Sequence, residues 1–159
     1  MATAPQLENA WLVSVAYAEH EWHFGEESIW FNVDEAFVVT RFQPEDDGAV
    51  AATGELELRV RWYADEEITM PAERAPFDLT MRLAGDFRFD VGTEERFARA
   101  WLEYNGAYLL WPYARANAAT VTGLGRLPKL TLYTRRLPEL PEIESEEDVR
   151  PAATSVENS

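Results

Sequence analysis

The clearest strand signal along the chain is a strict alternation of apolar and charged residues over positions 55–63. Leu56, Leu58 and Val60 fall on one side of such a strand, and glutamate and arginine side chains fall on the other. Successive side chains of a β-strand point to opposite faces, so this pattern predicts one buried face and one solvated face. Strands of this kind are typical of antiparallel sheets.

Three further stretches, residues 11–24, 35–43 and 77–91, also have the composition of strands. Residues 77–91 keep one apolar phase across Gly85, where the missing side chain permits a bend or a bulge. In residues 11–24 both faces carry apolar side chains, so neither face is plainly directed at solvent. The connections are polar and contain no helical crossover, so the four stretches predict a four-stranded antiparallel sheet.

Helix signals replace the alternation after residue 92. Thr93 precedes two glutamates, which is typical of a helix start, and Asn105-Gly106 is typical of a helix end. Proline is tolerated in the first turn of a helix, so Pro112 predicts the start of a second helix that continues to Gly123. Two helices are therefore expected after the strands.

Small residues lie along one side of the second predicted helix, where Ala114, Ala118 and Val121 form a stripe. Such a stripe lets another backbone approach closely and predicts a helix–helix contact within or between subunits. The strands and helices together predict one α+β domain over residues 1–137. Residues 138–159 are rich in proline and acidic side chains, and they predict a disordered tail.

Composition narrows the classes of function. The net charge of −15 argues against binding to nucleic acids or to anionic membranes, because both depend on cationic side chains. No apolar run reaches the length of a membrane span, and the first residues lack the pattern of a secretory signal. Cysteine is absent, which excludes disulfides and fits a reducing compartment. We therefore expect a cytoplasmic protein with no membrane insertion.

Candidate catalytic and metal-binding groups are weak. His20 and His23 form the only histidine pair, but residues three apart in a strand point to opposite faces, so no metal site is expected. The sequence contains no phosphate-binding loop, no nucleophile elbow and no glycine-rich dinucleotide motif that follows a strand. We expect neither enzyme activity nor a cofactor.

Aromatic residues are abundant, with 6 Trp, 6 Tyr and 8 Phe. A core of bulky side chains accounts for most of them. Trp22, Phe24, Trp30 and Phe31 nevertheless cluster around one polar loop, and a four-stranded sheet has limited room to bury them all. Exposed apolar patches usually mark binding surfaces, so these four residues are the candidates for contact with a partner.

Two motifs resemble the SecB family of protein-export chaperones. The first reads Leu-Leu-Trp-Pro-Tyr-Ala-Arg over residues 109–115, and the second reads Gly-Arg-Leu-Pro-Lys-Leu-Thr-Leu over residues 125–132. In that family an aliphatic or aromatic residue followed by Pro-Tyr-Ala-Arg opens a helix, and Gly-x-x-Pro-x-Leu-x-Leu comes later in the chain. By this resemblance Pro112, Tyr113 and Ala114, with Arg115, are structural and set the helix that organises the assembly.

The resemblance implies a chaperone that carries out no chemistry. Family members hold unfolded polypeptide clients in hydrophobic grooves without ATP, and they assemble as homotetramers, dimers of dimers with helices between sheets. Such a protein serves protein export or acts as the dedicated chaperone of an antitoxin. The antitoxin role is favoured, because the two prolines of residues 135–141 prevent the C-terminal helix that lids the groove in the export chaperones.

Binding to the translocation motor SecA is left open by the resemblance. The family contacts SecA through acidic positions on its strands, and Glu21 matches one of them. Thr80 replaces another of these positions, and Asp78 stands where an apolar residue is usual. A non-catalytic adaptor that binds one folded partner by a sheet edge is the alternative function.

Overall fold

A computed structural model describes residues 4–21, 29–65, 68–71 and 74–134 of the chain. Five strands and one helix follow each other along it: β1 (Gln6–Glu19), β2 (Trp30–Pro44), β3 (Val50–Asp65), β4 (Ile68–Thr69), β5 (Phe77–Phe89) and α1 (Glu95–Gly123). The predicted α+β fold with four long antiparallel strands is confirmed. The short strand β4, which pairs only with the end of β3, was not predicted.

The four long strands lie in the order β1–β5–β3–β2, so the first two strands of the chain form the two edges of the sheet. The alternation in β3 has the predicted effect, because Leu56, Leu58 and Val60 are buried in the core. Helix α1 covers this face and contributes Leu102 and Leu110 to the same core. The apolar phase of β5 is buried there as well.

The opposite face of the sheet carries ion pairs between neighbouring strands and loops. Arg82 pairs with Glu55, and Arg88 pairs with Glu45 and with Asp47, each of the last two at 2.6 Å. Exposed pairs of this kind contribute only about 0–1 kcal/mol each. Their main consequence is a polar, solvated surface over this part of the outer face.

The prediction of two helices is wrong, because α1 is continuous through Asn105 and Gly106. Among the described residues only Gly48 and Gly92 have the positive φ that favours glycine at a helix end. Gly106 is helical and buried, and a side chain there would collide with the ring of Phe37. The glycine therefore lets β2 pack against the helix and does not end it.

Pro112 also lies inside α1 and not at its start. It has no N–H to donate, so the carbonyl of Tyr108 loses one helical hydrogen bond. Pro112 is exposed on the outer side of the helix, where its ring does not crowd the core. The helix begins after Glu94, whose carbonyl accepts the N–H of Ala98, so the N-cap is one residue later than the expected Thr93.

Gly85 pairs in register with both neighbouring strands, so no bulge lies at this position. A Cβ added to Gly85 would lie 2.7 Å from the side chain of Leu110 and 3.0 Å from that of Leu7. The glycine therefore makes room for the helix and for β1. The register shifts between β1 and β5 lie between Leu7 and Asn9 and between Leu12 and Ser14.

Residues 128–134 follow the helix as a segment without regular secondary structure that joins no strand of the described chain. We call this segment the strap. Leu130 and Leu132 of the strap are buried in the core, while Thr131 and Tyr133 point outward. The predicted tail, residues 138–159, lies outside the described residues, and its disorder stays a prediction.

Candidate functional site

A row of aromatic rings crosses all four long strands on the face that carries the helix. Tyr17 of β1 lies 5.4 Å from Phe77 of β5, which lies 5.0 Å from Trp62 of β3, and Trp62 lies 5.6 Å from Phe31 of β2, all between ring centroids. The indole N–H of Trp62 donates to the carbonyl of Phe77 (2.9 Å), which fixes that ring. The row ends at β2, where Phe31 is partly open to solvent.

Trp30 and Phe31 begin β2 and point to opposite faces of the sheet. Phe31 pairs with Trp62 and faces the helix side, whereas Trp30 pairs with Tyr63 and faces the outer side. Trp30 is 56% exposed and Phe31 is 37% exposed. The structure thus places two of the four predicted contact residues at one accessible edge. The other two, Trp22 and Phe24, lie outside the described residues.

A second group of exposed apolar side chains lies on β1 and was missed as a candidate site. Trp11, Leu12, Val13 and Val15 are all exposed there, although they are large and apolar. The signal was present in the sequence as apolar residues on both faces of one strand. The exposure of these side chains is explained by the position of β1, because an edge strand has a neighbouring strand on one side only.

The motif residues of α1 divide between its two sides. Ala114 and Ala118 are fully buried in the single chain, and Val121 packs against the same core. These small residues thus lie in the core of the same chain, and Ala114 and Ala118 leave no surface for a second subunit. Pro112 and Tyr113 point outward and are exposed.

The outer side of the C-terminal half of α1 is free of charge. Arg115 is the only charged residue between Glu103 and Arg126. Tyr113 and Ala116 are exposed on this side of the helix. A long uncharged stretch of exposed helix is unusual for a chain in which 27% of residues are charged, and it is typical of a surface that meets another protein.

Side chains of α1 hold the strap by its backbone. The indole N–H of Trp111 donates to the carbonyl of Tyr133 (2.8 Å), and the guanidinium Nε of Arg115 donates to the carbonyl of Leu132 (3.0 Å). A small apolar cavity of about 220 Å³, lined by Tyr108, Leu109, Trp111, Pro112, Arg115 and Thr134, lies at the end of the strap.

A carboxylate on β1 holds the loop between α1 and the strap. Glu19 accepts the hydroxyl of Tyr17 (2.8 Å) and the N–H of Leu127 (3.2 Å). The hydrogen bond from Tyr17 is the largest cause that lowers the pKa of Glu19, and the hydrogen bond from Leu127 is the next. The charge of Arg126 lowers this pKa further. Burial, followed by the hydrogen bond to Glu19 and its charge, raises the pKa of Tyr17 to about 12.

The histidine pair is not assembled into a cluster in the part of the chain that the structure describes. His20 contacts the carboxylate of Asp78 at 3.0 Å, and His23 lies outside the described residues. No group of three or more metal-ligating side chains occurs among the described residues. No helix of the described chain is both long enough and apolar enough to cross a lipid bilayer.

Comparison with solved structures finds this fold in a SecB-like chaperone of Mycobacterium tuberculosis, solved in complex with a ChAD peptide from the HigA1 antitoxin. The TM-score is 0.61 at 21% identity, and the match covers 85% of this chain and 93% of that chain. A protein of unknown function from Streptococcus agalactiae matches with a TM-score of 0.49 and 14% identity, over 82% of this chain and 99% of that chain. No family model and no curated protein match the sequence. The chain has the SecB-like fold that its two motifs predict.

Proposed function

We propose that this protein is an ATP-independent holding chaperone that binds non-native polypeptides through exposed apolar surface. The proposal is carried by the exposure of large apolar side chains at both edges of a SecB-like sheet, in a chain with a net charge of −15. Strong net charge keeps such a surface in solution, and apolar contacts require no particular hydrogen-bond pattern from the client. Trp30 and Phe31 supply the client contact among the described residues, and Trp22 and Phe24 are proposed to extend it.

Suppression of aggregation tests the holding activity. A chemically denatured client is diluted into an equimolar amount of the assembled protein without nucleotide, and light scattering is followed over time. The proposal expects suppression that ATP does not change. Aggregation at the rate seen in buffer alone, with the added protein still folded and assembled, would contradict it.

The assembly is proposed to be a homotetramer with a mass near four times 18.1 kDa. Two surfaces suit it. The free edge of β1 can pair with the same strand of a second copy, and the uncharged outer side of α1 can pack between two dimers. Ala116 lies on that outer side, so Ala116→Arg should split tetramers into dimers without loss of helix signal. Ala118→Arg should instead unfold the chain, because Ala118 is fully buried.

We propose an exposed apolar segment of an antitoxin as the client. The support is the neighbour of the same fold that was solved with an antitoxin peptide, together with the two prolines of residues 135–141, from which the sequence predicts that no lid helix forms. Asp78 is engaged with His20, and Thr80 offers no charge to a motor protein. We expect SecA affinity no tighter than about tens of micromolar, since single exposed ion pairs contribute little.

Calorimetry against an antitoxin peptide and against SecA separates the two chaperone roles. Burial of apolar surface predicts a negative heat-capacity change and little dependence on salt for the peptide. Submicromolar, salt-sensitive binding of SecA would favour general protein export. The adaptor alternative, supported by the free edge of β1, predicts tight binding to one folded partner.

A further inference from the structure

The strap makes the contacts of a bound peptide, although it belongs to the chain itself. Its residues alternate between buried Leu130 and Leu132 and exposed Thr131 and Tyr133, a pattern typical of an extended peptide. It adds to no strand of the described sheet. The strap is thus held by its leucines and by side chains of α1.

These side chains recognise backbone groups of the strap. Thr122 accepts the N–H of Leu130 (2.9 Å), and Arg115 and Trp111 donate to the carbonyls of the two residues Leu132 and Tyr133. Contacts with backbone groups do not depend on which side chains the peptide carries. The site as a whole requires only two apolar side chains with one residue between them, so it fits many sequences.

We propose that the groove beneath the strap is a binding site for extended peptide segments with an apolar-x-apolar pattern, and that the strap fills this site until a client displaces it. The inference rests on the proposed chaperone function and specifies one of its sites. A displaced strap leaves a groove lined by core residues, in which Trp111, Arg115 and Thr122 can form the same hydrogen bonds with the client backbone.

The strap closes its own site against weak ligands. A short loop joins it to α1, so its effective concentration is on the order of millimolar. A client that binds only where the strap is released sees its apparent affinity reduced by the fraction of open molecules. Loosening the strap should therefore tighten the binding of peptides.

Leu132→Ala tests this within the strap itself, because it removes one apolar anchor of the strap and leaves the side chains of the groove unchanged. Thr131→Ala is the matched control, since Thr131 lies on the strap but is exposed. The probe is a synthetic peptide of residues 126–134, with a scrambled peptide beside it. We expect Leu132→Ala to bind the peptide at least about tenfold more tightly than the wild type does, and Thr131→Ala to match the wild type.

A second readout follows the strap directly. The chain contains no cysteine, so Lys129→Cys introduces a single thiol in the strap at an exposed position for an environment-sensitive dye. Binding of an unfolded client should change the dye signal and speed amide exchange at Leu130 and Leu132. Equal peptide affinity in the two alanine variants, with no change in strap exchange when client binds, would overturn the proposal.

The proposed groove beneath the strap and the proposed chaperone function can fail separately. Suppressed aggregation with an unmoved strap would remove this site and leave the chaperone function standing. Absence of client binding, with the peptide of residues 126–134 still competing with the strap, would remove the chaperone function and leave the groove. If Leu132→Ala does not fold, the dye on Lys129→Cys carries the test in a chain whose leucines are intact.

Discussion

The two edge strands of the sheet offer a partner very different surfaces. Strand β1 has no charged residue over positions 9–18, and large apolar side chains are exposed on both of its faces. Strand β2 carries Asp34, Glu35 and Arg41 along its length, and the side chain of Asn32 accepts the N–H of Val33 (2.8 Å). Charges and satisfied backbone donors are the usual protection of an edge strand against pairing.

This difference indicates what kind of partner each edge strand can bind. An uncharged edge with free backbone groups suits a permanent partner strand, which we propose to be β1 of a second copy. A charged edge resists strand pairing, so β2 offers a partner mainly the rings of Trp30 and Phe31 at its start. Apolar side chains without an open backbone edge suit a client that binds and leaves.

The largest effect is expected from a charge on β1. Val13 and Val38 are both exposed valines on edge strands, 41% and 59% respectively. Val13→Lys should abolish the tetramer, because lysine on an open edge blocks strand pairing. Val38→Lys should leave the mass unchanged. Light scattering coupled to size exclusion measures both, and equal behaviour of the two variants would contradict the assignment of β1 to assembly.

The next effect concerns how β2 is held against the helix. Phe37 of β2 lies against Gly54 of β3 and Gly106 of α1, and a side chain on either glycine would collide with its ring. Gly106→Ala should lower the free energy of unfolding by about 1–3 kcal/mol, the usual cost of overpacking. Gly123→Ala meets nothing closer than Lys129 at 3.8 Å and should change stability by less than about 0.5 kcal/mol. Urea denaturation compares them.

The affinity for a client should depend on the exposed aromatic rings at the start of β2. Trp30→Ser combined with Phe31→Ser should weaken binding of an unfolded client about tenfold, because exposed aromatic anchors carry most of the energy of such contacts. Trp11→Ser removes an equally large ring from β1. It should weaken client binding much less, provided that the assembly remains intact. Unfolding of the double variant would instead show that the rings belong to the core.

The smallest effect is expected at the end of β1, where Glu19 holds Leu127. The pKa of Glu19 is lower in the folded chain than in the unfolded chain, so its contribution to stability is present above the unfolded pKa of about 4.3. That contribution is lost as the pH falls through the folded pKa. Glu19→Gln should therefore be less stable than the wild type at pH 7, and thermal melts of the two should converge in acid. A difference that persists at low pH would contradict this role.

The sequence predicted the sheet better than it predicted the helix. The alternation in β3 is a local pattern with one solution, since a shift by one residue would bury its glutamates. The strand order and the free edge of β1 depend on pairing between distant segments, which no local pattern contains. Gly106 and Pro112 suggested a break in the helix because local rules apply to isolated chains. In the folded protein the contact with Phe37 explains the glycine, and the exposed position of Pro112 explains why the helix tolerates it.

The candidate site was partly within reach of the sequence. Trp30 and Phe31 lie in a stretch rich in aromatic residues, which predicted them as contact residues, and both are exposed. The stripe of Ala114 and Ala118 predicted a helix–helix contact, but small residues serve any close approach, and here both are buried in the core of their own chain. The hydrogen bonds from Arg115 and Trp111 to the strap end on backbone carbonyls. Every residue has a carbonyl, so such contacts leave no pattern in the sequence.

Calorimetric titration of the protein with one polypeptide in two states tests the central claim most directly. The polypeptide is kept permanently unfolded by reduction and alkylation of its disulfides in one sample and is native in the other. The account predicts binding of the unfolded form with a negative heat-capacity change, no effect of ATP, and no measurable binding of the native form. Equal binding of the two forms, or binding of the native form alone, would contradict it and would favour an adaptor for folded partners.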